Sequence, residues 1–288
     1  MDTMTLVSQI FFPFCIITIM FALGTTLEGD DFKRVLSRPK PVFLGLVGQM
    51  VLLPATAFLF TLIVPMDPAV AIGLIILSAC PGGVTSNAIV FVVRADLALS
   101  VTLTALSSSL TTVTVPLIVS AGLRLHAGAG EDFSMPVLDT MIRLFLITIL
   151  PMSTGMSLKR WAPAIEAAWR RSLRMFTLII MIAMVSVGTL TSVDFLASNF
   201  LGMVFATLGL AVITMAMGYL LARAFRLNKE QGVTISIEVG VQNVAVAIVV
   251  AATILGQSEL AVTPGIYGVI MYLVVTAFLM SVQKRQRL

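Results

Sequence analysis

The sequence predicts an all-α membrane protein of nine transmembrane helices built as two inverted repeats. Three observations carry that expectation. Hydrophobic residues fill 58% of the 288 positions and charged residues only 11%, where a soluble domain averages about 25% charged. Apolar runs recur at lengths near the roughly 20 residues that cross a bilayer. Two of those runs are interrupted by glycine and amide residues, one of them also by a proline, at corresponding places in the two halves, which is the mark of an inverted-repeat transporter.

The nine spans read as 5–27, 41–64, 69–93, 97–122, 136–156, 172–193, 199–223, 230–255 and 263–283. Each hinge carries turn chemistry or charge, as in "EGDDFKRVLSRPKP", "PMDP", "HAGAGEDFSMP" and "RLNKEQ". Alternate hinges collect the basic residues. Sixteen of the 18 lysines and arginines fall on one side, and only Arg124 and Arg143 on the other. Basic loops stay in the cytoplasm, so the amino terminus is expected outside and the carboxyl terminus inside, in a multi-pass protein of the cell (inner) membrane. The net charge of +4 is therefore a topology signal and not a nucleic-acid one. Trp161 and Trp169 suit the cytoplasmic interface. Cys15 and Cys80 lie inside apolar runs, with no disulfide spacing.

The interruptions are "SACPGGVTSNAIVF" and "SIEVGVQNVAVAIV". Asn87 and Asn243 take equivalent places, and by the charge topology the two segments run in opposite directions. Pro81 lacks a backbone donor, and Gly82 and Gly83 favour non-helical geometry. Lipid cannot satisfy the groups so freed, so they must be buried in protein or line a wet cavity. Of 14 acidic residues, only Glu238 falls at mid-span, beside Gln242 and Asn243. A carboxylate at that depth costs about 2.5–3.5 kcal/mol and marks function by default; the plain alternative is a protonated helix–helix bond. Ser100 and Thr104 share a helix face and read equally as packing or as site residues. The Ser107–Thr114 run reads as packing, Gln49 as an amide able to join helices, and His126 as solvated. No nucleotide loop, metal cluster or nucleophile–base order suggests an enzyme.

At "MFALGTTLEGDDF", "QMVLLPATAF", "CPGGVTSNAIVFVVRADLALSVTLTALSS" and "IEVGVQN" the chain resembles the bile acid:sodium symporter family over essentially its whole length. The resemblance implies that the two broken helices cross, and that a core and a panel domain move against each other. Residues 41–122 and 199–288 would form the core, and residues 1–40 and 123–198 the panel. It also implies two Na+ sites. Ser86, Asn87, Ser100, Thr104 and Glu238 would hold one ion. Glu238, Gln49, Gln242 and the carbonyls of Val239 and Val241 would hold the other. Sodium is a hard cation that takes oxygen ligands, and each of these supplies oxygen. Val84, Thr85 and Asn243 would border the substrate. Several relatives read "GGTASN" where this chain reads "GGVTSN", which bears on the substrate and not on the ions. The expected activity is sodium-coupled symport of an organic anion by a functional monomer. The alternatives are a sodium-independent or efflux carrier of the same superfamily, or a membrane sensor that binds without transporting.

Overall fold

The computed structural model of the chain describes residues 6–126 and 135–284, the last three by backbone alone. The expected hinge at Glu131 and the basic tail at Arg285 and Arg287 lie outside the described residues. All regular structure among the described residues is helical. Seven helices are long and apolar enough to cross a membrane: α1 (Val7–Thr26), α3 (Pro39–Ile63), α6 (Leu97–His126), α7 (Val137–Trp161), α8 (Pro163–Leu190), α9 (Val193–Ala224) and α12 (Glu259–Lys284, of which Glu259–Ser281 meets the criterion). A short helix, α2 (Gly29–Ser37), fills the first hinge. Four half-length helices make up the two interrupted segments: α4 (Pro68–Ala79), α5 (Val84–Val92), α10 (Lys229–Gly240) and α11 (Val244–Ile254). None of the four reaches the roughly 20 residues of a full span.

Burial sorts the helices. Ile179 and Ile182 of α8 and Leu201 and Phe205 of α9 are 57–70% exposed, as lipid-facing side chains are in a bilayer protein. By contrast, every residue from Gly232 to Gly240 is buried, and so is every residue from Val244 to Ala252. The polar interruption therefore sits where protein surrounds it on all sides.

Helices α1 and α7 approach backbone to backbone. A Cβ on Gly24 would lie 2.0 Å from the Met152 carbonyl oxygen, and one on Gly155 would lie 2.2 Å from that of Phe21. Small residues permit such contact between membrane helices, where apolar burial alone gives no preference for helix over lipid. Helix α8 also packs on α1, while α9 packs on both α10 and α12.

Several helices outrun the hydropathy reading, α7 ending at Trp161 and not 156 and α9 beginning at Val193 and not 199; two departures have a plain local cause. Helix α8 begins at Pro163, nine residues before the apolar run expected at 172. Proline suits a first helical position, and Arg170 holds Glu166 through a bidentate pair of 2.8 and 2.6 Å one turn on. Hydropathy marks the apolar edge of a helix, not its end. The first hinge is helical because Glu28 and Asp31 form a capping box, with the Glu28 N–H donating to Asp31 at 2.7 Å. His126 is not simply solvated; its Nε2 lies 3.0 Å from the Thr61 hydroxyl.

The glycine seam yields a direct test. Gly155→Val should drive α1 and α7 apart at a cost of about 1–3 kcal/mol, lowering Tm in detergent by on the order of 5 °C. Gly202→Val, where a Cβ meets nothing within 4 Å, should leave Tm unchanged.

Candidate functional site

The two interruptions cross, and each completes the other's backbone. From Cys80 to Gly83 and from Val241 to Asn243 the chain leaves the helical region, with Gly83 at φ −83°, ψ 150° and Val241 at φ −108°, ψ 102°. These stretches run antiparallel. The Gly83 N–H donates to the Val241 carbonyl at 3.0 Å, and the Asn243 N–H to that of Pro81 at 2.9 Å. Side chains take up three further carbonyls. Gln49 Nε2 donates to the Cys80 carbonyl at 3.1 Å, Gln242 Nε2 to that of Val239 at 2.7 Å, and the Tyr267 hydroxyl to that of Gly240 at 2.8 Å. Gly82 is glycine because a Cβ there would sit 2.7 Å from Glu238 Oε2.

Around Glu238, which is 2% exposed, the structure gathers one group of expected site residues. Ser86 Oγ lies 2.5 Å from Glu238 Oε1, Ser100 Oγ also contacts Oε1, and Thr104 Oγ1 lies 3.1 Å from Oε2. Asn87 Oδ1 is 2.7 Å from Ser100 Oγ and 3.4 Å from Thr104 Oγ1, and Ser86 Oγ is 2.7 Å from the Gly83 carbonyl oxygen. Six oxygen–oxygen contacts result, and only three hydroxyl protons exist to fill them, because a hydroxyl carries one donor. Protonating Glu238 would add one more. No described lysine or arginine forms an ion pair with this carboxylate. The register of α6 against α10 is set at the start of α6. There Asp96 accepts from the Leu99 N–H at 3.0 Å, and its own N–H donates to Thr234 at 3.0 Å.

A second group forms beside the first. Gln49 Nε2 donates to Gln242 Oε1 at 2.8 Å. The carbonyls of Val239 and Val241 each accept one protein donor already, from Gln242 and Gly83, which leaves one lone pair on each. The polar contacts of Glu238 fall on the first group; Gln49 and Gln242 bond to each other and not to it. A proline follows the turn that carries Gln49. The π-helical turn Gly48–Leu52, which contains it, ends two residues before Pro54. The same spacing recurs at Pro13 after Val7–Phe11 and at Pro151 after Phe145–Ile149. A proline ring crowds the preceding turn and removes a donor, which favours a widened turn; a fourth such turn, Val249–Ile254, forms without one.

Of the residues expected at the substrate, Val84 and Thr85 open α5 and are partly exposed. Asn243 caps α11 by accepting from the Val246 N–H at 3.2 Å, and its buried Nδ2 has no partner. Sequence reasoning missed Tyr267, whose sole signal is a phenol in an apolar span that needs a partner. Cys15 and Cys80 are both buried and free.

A family model described as the sodium bile acid symporter family matches residues 13–199. The chain belongs to that family. Membership rests on well over half of the chain, including α4, α5 and α6; the matched region stops before Glu238. Similar members include an uncharacterized sodium-dependent transporter of Bacillus subtilis, 28% identical over 78% of this chain and 68% of its own length. A probable chloroplastic sodium/metabolite cotransporter of Arabidopsis thaliana is 30% identical over 84% of this chain and 59% of its own length. The hepatic sodium/bile acid cotransporter of Rattus norvegicus is 30% identical over 80% and 63%. This chain thus spans about three-fifths of the latter two proteins. The family and these relatives are transporters and not enzymes, and the symporter-family chain here is a multi-pass membrane protein by its apolar helices.

Tyr267→Phe removes the donor to Gly240 and leaves a buried carbonyl unpaired. The expected loss is about 1–3 kcal/mol of stability, read as a lower Tm in detergent.

Proposed function

We propose that this chain is a sodium-coupled symporter that takes up an organic anion by alternating access. The observation that carries it is the shortage of protons around Glu238. Closely packed oxygens with a carboxylate and too few donors repel one another unless a cation lies among them, and an all-oxygen group suits a hard cation. Ser86, Asn87, Ser100, Thr104 and Glu238 would hold one Na+. A second Na+ would part the Gln49–Gln242 pair and take their oxygens, with the free lone pairs of Val239 and Val241 and a turn of Glu238 toward them. The sodium-dependent and sodium/metabolite relatives support sodium as the driving ion.

The seven long helices and the two crossing pairs add up to nine spans. The opposite directions of α4–α5 and α10–α11 support inverted repeats. Helices α3–α6 and α9–α12 would form a core that moves against a panel of α1, α7 and α8. The charge asymmetry supports an outside amino terminus and a cytoplasmic carboxyl terminus in the cell membrane. The anion would sit at Val84, Thr85 and Asn243. The unpartnered Nδ2 of Asn243 and the amino-terminal end of α5 both favour negative charge there.

Two Na+ and one monovalent anion would neutralise Glu238 when loaded, as a low-dielectric site requires, while carrying one net positive charge per cycle. That charge is worth about 2.3 kcal/mol per 100 mV. Uptake of labelled organic acids into proteoliposomes should therefore need a sodium gradient and accelerate under an inside-negative potassium–valinomycin potential. Glu238→Gln keeps the shape and removes the charge, and should abolish sodium-driven uptake in protein that still folds. Full sodium-driven uptake by that variant would overturn the carboxylate mechanism; potential-independent uptake by the wild type would overturn the two-sodium balance for a monovalent anion.

The two groups are separable. Thr104→Ala and Gln49→Ala each remove one ligand from a different group, and each should raise the sodium concentration for half-maximal uptake by about tenfold, or ~1.4 kcal/mol of lost binding. An unchanged sodium dependence in both would make them packing residues.

A further inference from the structure

Helix α6 carries hydroxyls at every fourth position: Ser100, Thr104, Ser108 and Thr112. Neighbours in that series share a helix face, and the row winds round the helix by about 40° per step. Ser100 and Thr104 meet Glu238. Ser108 and Thr112 lie about 6 and 12 Å further along the axis from Thr104, at 1.5 Å per residue. Their neighbours behave as packing hydroxyls, because Ser107, Ser109 and Thr111 each donate to a carbonyl of their own helix. Ser108, Thr112 and Thr114 do not. Ser108 and Thr112 are 3% and 8% exposed, and none of the three oxygens has a hydrogen-bond partner.

Of these, Ser108 and Thr112 line one small cavity. Its other walls come from different helices, with Met20 on α1 and Leu144 and Thr148 on α7. Pro81 and Val246 close it at the crossing, and the Val246 N–H bonds Asn243. A void with room for little more than a water molecule thus separates α6 from the pair α1 and α7. Those two helices touch backbone to backbone, so they part from α6 together.

We propose that Ser108 and Thr112 form a second polar subsite for the transported anion, opened when α1 and α7 separate from α6. The inference rests on the symport reading and extends it to residues outside the two cation groups. The two hydroxyls donate to a carboxylate or sulfonate oxygen, while Met20, Val115 and Leu144 cover the apolar body of a small organic anion. No charged side chain lines the cavity. The anion's charge is therefore compensated by cations at Glu238, one to two helical turns away. Occupancy of the subsite depends on those cations, which couples the two cargoes without a direct contact.

The test uses 2-sulfonatoethyl methanethiosulfonate, a small thiol reagent that is itself an organic anion. Ser108→Cys and Thr112→Cys are made in full-length protein carrying Cys15→Ala and Cys80→Ala, then reconstituted in proteoliposomes. Both should be modified, at least about tenfold faster in sodium than in potassium buffer, a ratio equal to 1.4 kcal/mol. Leu110→Cys, which is 47% exposed on the same helix and faces lipid, should stay unmodified by the charged reagent. If neither Ser108→Cys nor Thr112→Cys reacts in either buffer, in protein that keeps the parent Tm, the cavity is a packing void and the subsite is overturned. Modification at equal rates in the two buffers supports an anion-accessible subsite and instead overturns its coupling to sodium, so the two readings fail separately.

Discussion

Everything at the centre of this protein depends on two backbone hydrogen bonds, Gly83 to Val241 and Asn243 to Pro81. A helix can be broken inside a bilayer only if something other than lipid meets the freed groups. Each broken helix here meets that need with the other, so neither break is tolerable alone. The crossing then brings the side chains that flank both breaks to one place: Ser86 and Asn87 from α5, Glu238 and Gln242 from the end of α10. Helix α6 adds Ser100 and Thr104, and α3 adds Gln49. The polar centre is a by-product of satisfying the backbone.

The centre is also poor in donors and rich in acceptors. Backbone carbonyls freed at the breaks, amide oxygens and a carboxylate outnumber the hydroxyl and amide protons that face them. In a soluble protein, water would correct the imbalance. Burial prevents that here, since Glu238, Ser86, Ser100 and Thr104 are at most 2% exposed. A mobile positive ion is the natural complement of such a shell. Under the proposed sodium coupling its departure would leave the oxygens less well compensated, and binding and release would carry a large electrostatic consequence for the helices that bear them.

Much of this was legible in the sequence. Hydropathy located the long spans, because a bilayer imposes a minimum apolar length. The glycine, proline and amide interruptions stood out against their apolar flanks, and Glu238 stood out from the other acidic residues by depth alone. Three features were not legible. Tyr267 caps Gly240 across 27 positions, a contact that no local pattern encodes. Ser108 and Thr112 are identical in type to the self-bonded hydroxyls around them, and only their surroundings distinguish them. The start of α8 was obscured because a helix can continue through polar residues once it leaves the apolar zone, as Glu166 and Arg170 do. The placement of Gln49 falls between these cases: Pro54 is visible, but the bonds of Gln49 to Cys80 and Gln242 are tertiary facts.

The crossing joins distant parts of the chain, and Ser86 and Glu238 are 152 residues apart. Ribosomes add about 5–20 residues per second, so roughly 8–30 s pass between synthesis of the first break and arrival of its partner. Throughout that interval Pro81, Gly82 and Gly83 have no second strand to meet. The nascent first half must wait at the insertion machinery or at the wet edge of the bilayer, or else borrow hydrogen bonds from elsewhere. The order of synthesis thus makes α10 and α11 the closing piece, and an insertion fault late in the chain strands an unpaired segment made long before it.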